Sequence, residues 1–174
     1  MMVFRPSTIL DLEACFRIAE EGKAFLKKNG VSQWQRGNYP SREVFASDVE
    51  AGRGYVVEMD GVVAAVSAVT YTPEPSYFEI DGAWLTENSI YATVHRSAVS
   101  DSFKGQGVLG FLLEEVGRMA KRKGASSIRI DTHEDNKPMR RALEKAGFTL
   151  CGRIILVDGD EVGDPRLAYE LLLS

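Results

Sequence analysis

Apolar positions recur along the chain with two spacings. From about Asp11 to Lys28, Leu12, Cys15, Ala19 and Leu26 recur with the period of a helix, with Asp11 or Thr8 placed to cap its start and Asn29-Gly30 to end it. Ser41 is placed to cap a second helix that carries Val44, Phe45 and Val49 and stops at Gly52. A third helix is the most regular, with Leu109, Leu112, Leu113, Val116, Met119 and Ala120 on one face and Glu114, Glu115, Arg118, Lys121 and Arg122 mostly opposite. It ends in basic residues before Gly124, which suits the negative end of a helix dipole. A shorter helix with Met139, Ala142, Leu143 and Ala146 on one face stops at Gly147.

Between the helices lie runs rich in β-branched residues. Val3 to Arg5, Tyr55 to Met59, Val62 to Thr70, Ile90 to Val99, Ser127 to Thr132, Phe148 to Val157 and Arg166 to Leu172 are predicted strands. Asp60-Gly61 favours a type I′ turn, so the second and third strands form an antiparallel hairpin. Tyr71 to Asn88, with Pro73, Pro75 and Gly82, is predicted to be a long loop. The order β-α-α-β-β-β-α-β-α-β-β implies a mixed α/β fold with both parallel and antiparallel pairs.

The chain has 174 residues, which is the size of one domain, here spanning 1–174. Its 44% hydrophobic and 26% charged residues are ordinary for a soluble globular protein. The net charge of -4 argues against broad nucleic-acid binding, which needs a basic footprint. No basic segment leads into a long apolar run, so neither a signal peptide nor a membrane span is expected. Cys15 and Cys151 are too few and too unpatterned for a disulfide framework or a zinc site. Both fit small buried residues in a reducing cytoplasm, and Cys151 fits that better than a nucleophile.

The most informative stretch is Lys104-Gly105-Gln106-Gly107-Val108-Leu109-Gly110, between a strand and the third helix. Such a loop offers free backbone N–H groups at the positive end of a helix dipole, a site for phosphate. Its Gly-x-Gly-x-x-Gly spacing spells the dinucleotide fingerprint, and Asp131 lies 21 residues after Gly110, where a ribose-binding acid would stand. The context argues against an NAD-dependent oxidoreductase. Ser100 to Lys104 separate the strand from the first glycine, the preceding element is a hairpin, and only 64 residues follow Gly110. No Gly-Lys-Ser/Thr follows at the spacing of a Walker loop.

Two motifs together are more specific. The chain resembles the GNAT superfamily of acyl-CoA-dependent N-acetyltransferases over roughly Ile90 to Ile155. The family's pyrophosphate motif, Arg/Gln-x-x-Gly-x-Gly/Ala, lies between its fourth strand and third helix. Lys104-Gly105-Gln106-Gly107-Val108-Leu109 holds that place here. The second motif is an Asn at a strand end, a short helix, and Gly-Phe opening a strand. Asn136 stands twelve residues before Phe148, with Met139 and Gly147 between them.

The resemblance implies a GNAT-like fold: a twisted, mostly antiparallel mixed sheet of about seven strands, splayed at the fourth and fifth, with about four helices. It implies acetyl-CoA as co-substrate. The pyrophosphate would lie on Lys104 to Gly110, the pantetheine arm on the backbone of Ala98 and Val99, and Asn136 and Met139 on its other side. Lys104 keeps the charge of Arg but loses its planar fork, and Leu109 is larger than the usual residue. Leu143 stands where many members carry a tyrosine thought to protonate the leaving thiolate, which leaves that role unassigned.

The expected reaction is direct transfer of acetyl to a primary amine of a small molecule, peptide or protein. Positioning of the two substrates supplies much of the rate, and a base helps deprotonate the ammonium. His95, on the strand beside the expected thioester, is the candidate base. His133 and Glu134 fit loop polarity and helix capping better than catalysis. Trp34, Tyr39 and Trp84 are the expected acceptor-binding residues, with Gln35, Glu79 and Asp81 near them in sequence, because rings and carboxylates suit a cationic amine. A non-catalytic acyl-CoA-binding module is the alternative. Ile154 to Val157 could support a homodimer through a sheet edge.

Overall fold

The computed structural model describes residues 1–174. Its elements are β1 (Met2–Pro6), α1 (Leu12–Lys28), α2 (Arg42–Glu50), β2 (Gly54–Met59), β3 (Val62–Thr70), β4 (Asp81–Gly82), β5 (Tyr91–Val99), α3 (Val108–Arg122), β6 (Ser127–Thr132), α4 (Lys137–Lys145), β7 (Thr149–Ile155) and β8 (Pro165–Leu172). All eight strands form one sheet in the order β1-β2-β3-β5-β6-β8-β7-β4. Every pairing is antiparallel except β5 with β6. No helix is long and apolar enough to cross a membrane.

Local chemistry sets most of the boundaries. The Ser41 hydroxyl accepts from the Val44 N–H at 3.2 Å and so caps α2. Thr8 and Asp11 both act at the start of α1, but through a single 3-10 turn over Ile9–Asp11. The Asp11 carboxylate accepts from the Thr8 N–H at 2.7 Å and pairs with Arg5 at 2.8 Å. Asp60 and Gly61 have φ of 52° and 82°, the left-handed pair that a type I′ turn requires.

Helices cover both faces of the sheet. The largest apolar cluster joins Leu112, Leu113 and Val116 of α3 and Leu143 of α4 to Val57, Val94 and Ile128 of the sheet. A second cluster packs Cys15, Ile18 and Ala19 of α1 and Phe45 of α2 on Val56, Val66 and Ala98. Burying one such Leu or Ile contributes roughly 1.5–3 kcal/mol. Cys15 is buried as expected, whereas Cys151 is only half-buried. In the Ile154–Val157 run, Ile154 faces a buried cluster while Ile155 and Val157 are exposed.

The sheet has eight strands where the sequence pattern predicts about seven. The extra one, β4, lies in the segment expected to be one long loop, and it pairs with β7 through Asp81↔Arg153 and Gly82↔Gly152. Two glycines make this contact. A Cβ on Gly82 would stand 2.2 Å from the Cys151 carbonyl oxygen, and one on Gly152 would stand 2.2 Å from that of Asp81. The same segment is held down elsewhere by a 3-10 turn over Pro75–Tyr77 and by the Glu74 N–H, which donates to the Tyr91 hydroxyl at 2.9 Å.

β5 and β6, the fourth and fifth strands of the expected count, part company along their length. They pair only at Tyr91↔Ser127, Ala92↔Ile128 and Thr93↔Arg129. Beyond that, β5 stays on β3 as far as Val99 and β6 stays on β8 as far as Thr132, so a wedge opens between them. A β-bulge accompanies the parting. The register of β5 against β3 shifts between Val66↔Ala98 and Ala68↔His95, so Arg96 and Ser97 together oppose Ser67.

Candidate active site

Arg96 sits in the bulge with φ of 52°, a left-handed conformation that costs a non-glycine residue about 1–2 kcal/mol. Its side chain explains why the conformation holds. The guanidinium donates from Nε and Nη2 to the two carboxylate oxygens of Asp48 at 2.9 and 2.6 Å, and from Nη1 to the Tyr39 hydroxyl at 3.1 Å. Asp48, on α2, is 2% exposed and also accepts from Arg53 Nε at 2.7 Å. The α2 helix thereby fixes the shape of β5 where the wedge opens.

A cleft of about 1520 Å³ runs through the wedge. That exceeds the roughly 300–1,000 Å³ typical of a single drug-sized ligand and leaves room for two reactants. At one end, Lys104, Gly105, Gly107, Val108, Leu109 and Gly110 line it. Gly107 caps α3 with φ of 78°, and Phe111 makes the first N–H bond back to it, at 3.0 Å. The amides between are free to meet an anion. Gln106 is not part of the lining; its side-chain amide donates to the Ser102 carbonyl at 3.2 Å. The Lys104 ammonium is paired with Asp101 at 2.5 Å and lies over the Phe25 ring.

The middle of the cleft is lined by Ala98 and Val99 on β5, and by Asn136 and Met139 across the wedge. The Asn136 side chain is already engaged. Its Oδ1 accepts from the Met139 N–H at 3.4 Å and its amide donates to Gln33 Oε1 at 3.3 Å, so it caps α4. Leu143, at the family's tyrosine position, is fully buried in the core and supplies no group to the cleft. Thr132, 1% exposed at the end of β6, also lines the cleft, and its hydroxyl has no hydrogen-bond partner.

The far end holds His95. Its Nε2 lies 3.4 Å from Thr70 Oγ1 and 3.5 Å from Glu74 Oε2. Burial, with the nearby Arg96 charge, lowers its pKa to about 4, so the imidazole is neutral at pH 7. Burial raises the Glu74 carboxyl above its ordinary range. Thr93 and Arg129 are the last paired positions, so His95 and Asp131, two residues on, share one face of the sheet on opposite sides of the opening. Asp131 accepts from the Tyr77 hydroxyl at 2.7 Å, and burial raises its pKa too.

The low His95 pKa has a stability consequence. An unfolded His titrates near ~6.5, so the contribution of the neutral native form is complete above that pH and is lost as pH falls through 4. Wild type is therefore expected to lose more stability than His95→Gln between pH 7 and pH 4. Urea unfolding at both pH values checks this, and equal losses would contradict a buried neutral imidazole.

Two of the three expected acceptor residues line this end. Tyr39 bonds Arg96, and Trp34 packs its ring against Gly22, where an added Cβ would be 3.1 Å away. Trp84 does not belong to the cleft. Its indole N–H donates to the Tyr77 carbonyl at 3.1 Å and its ring lies 4.2 Å from the Arg129 guanidinium, so it seals the segment around β4 onto the sheet. A ring able to cover a buried cation is as well used there as in a pocket. Sequence reasoning passed over Glu74, Arg96, Thr132 and Arg166, and met Asp131 only as a ribose ligand. Their signal lies in chain positions that meet only once the wedge has formed.

Residues 12–148 match the family model for the acetyltransferase (GNAT) family. The chain belongs to that family. A GNAT acetyltransferase of Streptococcus agalactiae 2603 is 31% identical and superposes with a TM-score of 0.88 over 99% of this chain and 96% of its own. A Bacillus subtilis (strain 168) protein, provisionally named phosphinothricin acetyltransferase YwnH, is 28% identical over 120 residues. That match takes in 69% of this chain and 61% of the Bacillus protein, less than two thirds of its length. The Salmonella typhimurium protein yncA, solved with its cofactor acetyl-CoA, shares the fold at 17% identity, with a TM-score of 0.70 over 99% of this chain and 94% of its own. The GNAT family takes its acetyl group from acetyl-CoA, and in this chain the glycine loop, Asn136 and Met139 line one cleft that opens between β5 and β6.

Proposed function

We propose that this GNAT protein is an N-acetyltransferase that moves acetyl from acetyl-CoA to a primary amine by direct attack. The observation that carries the reading is the parting of β5 and β6 beyond Thr93 and Arg129, with the glycine loop at one end of the opening and His95 at the other. The free amides around Gly107 hold the pyrophosphate. Unpaired backbone groups of Ala98 and Val99 on the open edge of β5 hold the pantetheine arm, and Asn136 and Met139 close its other side.

The amine nitrogen attacks the thioester carbonyl carbon; the C–N bond forms, the C–S bond breaks, and CoA leaves as thiolate. His95, neutral at pH 7, accepts the proton that the amine sheds, directly or through water. Glu74, 3.5 Å away, then holds the imidazolium. An N–H of β5 polarises the carbonyl oxygen.

A panel of primary amines with acetyl-CoA, read by release of free thiol, tests the reaction. Binding of CoA with no thiol release from any amine would favour the non-catalytic module, which the buried Leu143 keeps open. Thermal stabilisation by NAD(H) and not by CoA would remove the donor assignment. Gly107→Ala tests the loop. In the free protein the new Cβ meets nothing within 4 Å, so only its left-handed φ penalises it, by about 1–2 kcal/mol. A methyl beside the loop amides hinders close approach of the pyrophosphate, so the KM for acetyl-CoA is expected to rise about tenfold while kcat changes little.

A further inference from the structure

The acceptor end of the cleft is roofed. The segment between α1 and α2 and the turn between β7 and β8 meet over it: the Trp34 N–H donates to Glu161 Oε2 at 3.0 Å, and Arg36 pairs with Asp164 at 2.7 Å. At Gly37 an added Cβ would lie 2.8 Å from the Asp160 carboxyl carbon. This joint narrows the acceptor end of the cleft, which favours a small molecule over a protein chain.

Charge inside that pocket is one-sided. Its three guanidiniums are already satisfied: Arg53 and Arg96 by Asp48, and Arg166 by Glu161 at 2.9 Å. Four carboxylates on the lining, Glu74, Asp131, Asp158 and Asp160, have no guanidinium or ammonium partner. They are not grouped in the way a metal ion needs. The Trp34 and Tyr39 rings line the same end, a second feature that suits an organic cation. The partnerless Thr132 hydroxyl is buried in the middle of the cleft, on the face of β6 opposite Asp131, and marks the cleft as a whole as built for an occupant.

Resting on the acetyl-transfer reading of the cleft, we infer that the acceptor is a small aliphatic diamine or polyamine: a primary amine with a second positive charge and no carboxylate beside the reacting nitrogen. The reacting end lies between His95, Glu74 and Asp131. The second charge lies toward Asp158 and Asp160, exposed at the mouth. Phosphinothricin, the acceptor in the Bacillus relative's name, is an amino acid with a carboxylate and a phosphinate, and this lining repels both.

The test compares spermidine, butylamine and phosphinothricin as acceptors at low ionic strength, for wild type and for the double variant Asp158→Asn, Asp160→Asn. Calorimetric binding of spermidine to the CoA-saturated protein is measured in parallel. Wild type is expected to show a kcat/KM for spermidine at least about tenfold above that of either competitor. The double variant is expected to cost spermidine about tenfold in kcat/KM and in affinity, and butylamine less than about threefold. Phosphinothricin used as well as spermidine, or equal losses for both amines in the double variant, would overturn the inference. Butylamine acetylated as fast as spermidine overturns the inference and leaves acetyl transfer standing. Spermidine bound tightly, and more weakly by the double variant, with no thiol released, keeps the polyamine site and overturns the acetyl-transfer reading on which its role as acceptor rests.

Discussion

Asp48→Asn is expected to destabilise the protein by about 3–5 kcal/mol, because it leaves two guanidiniums, one of them largely buried, without their shared counter-charge. The cost arises from the imbalance and not from the worth of the pair itself. Asn keeps one acceptor oxygen for Arg96 but cannot receive both of its N–H groups together with that of Arg53. The expected effect extends beyond stability. Arg96 holds a left-handed conformation in the β5 bulge, and without Asp48 nothing on α2 secures it. The folded fraction of the variant is therefore expected to bind acetyl-CoA more weakly, although Asp48 lies outside the cleft lining. Chemical denaturation gives the first quantity and calorimetric titration with acetyl-CoA the second. A loss below about 1 kcal/mol would mean that the Asp48 site accepts the imbalance through water.

His95→Gln is expected to lower kcat by about 10²–10³-fold, within the range of a positioned proton acceptor, while the KM for acetyl-CoA stays within about threefold. Gln retains a polar group toward Thr70 and Glu74 but cannot take up a proton. The site lies at the acceptor end of the wedge, away from the glycine loop, so donor binding is spared. Pre-steady-state thiol release separates the chemical step from product release. A kcat within tenfold of wild type would show that the amine loses its proton to solvent before attack and that His95 only shapes the pocket.

The helices, the seven longer strands and the hairpin were legible because each is encoded locally. Ser41 caps α2, Asp60-Gly61 turns the hairpin, and the apolar stripe of α3 faces the sheet. The glycine loop and Asn136 were legible as parts of the cleft for the same reason: they lie at fixed offsets from strand and helix ends. Two features were not. β4 exists because Gly82 and Gly152, seventy residues apart, allow two backbones to approach, and the Asp81–Gly82 segment alone carries no strand pattern. The acceptor end draws on α2, the α1–α2 segment, the β3–β5 loop, β6 and the β7–β8 turn, so no local spacing could announce that Glu74, Asp131 and Arg166 meet there. Trp84 illustrates the opposite error. A tryptophan in a polar segment reads equally well as a pocket wall or as a seal, and only the position of Arg129 decides between them.

The joint above the pocket links chemistry to heredity. Trp34 and Arg36 come from one end of the chain, and Glu161 and Asp164 from the other. On the proposed reading of this pocket, selectivity is written by two stretches of sequence that must match. Exchanging either stretch alone with that of a relative would break the seam and not transfer its preference, whereas exchanging both as a unit carries the preference across.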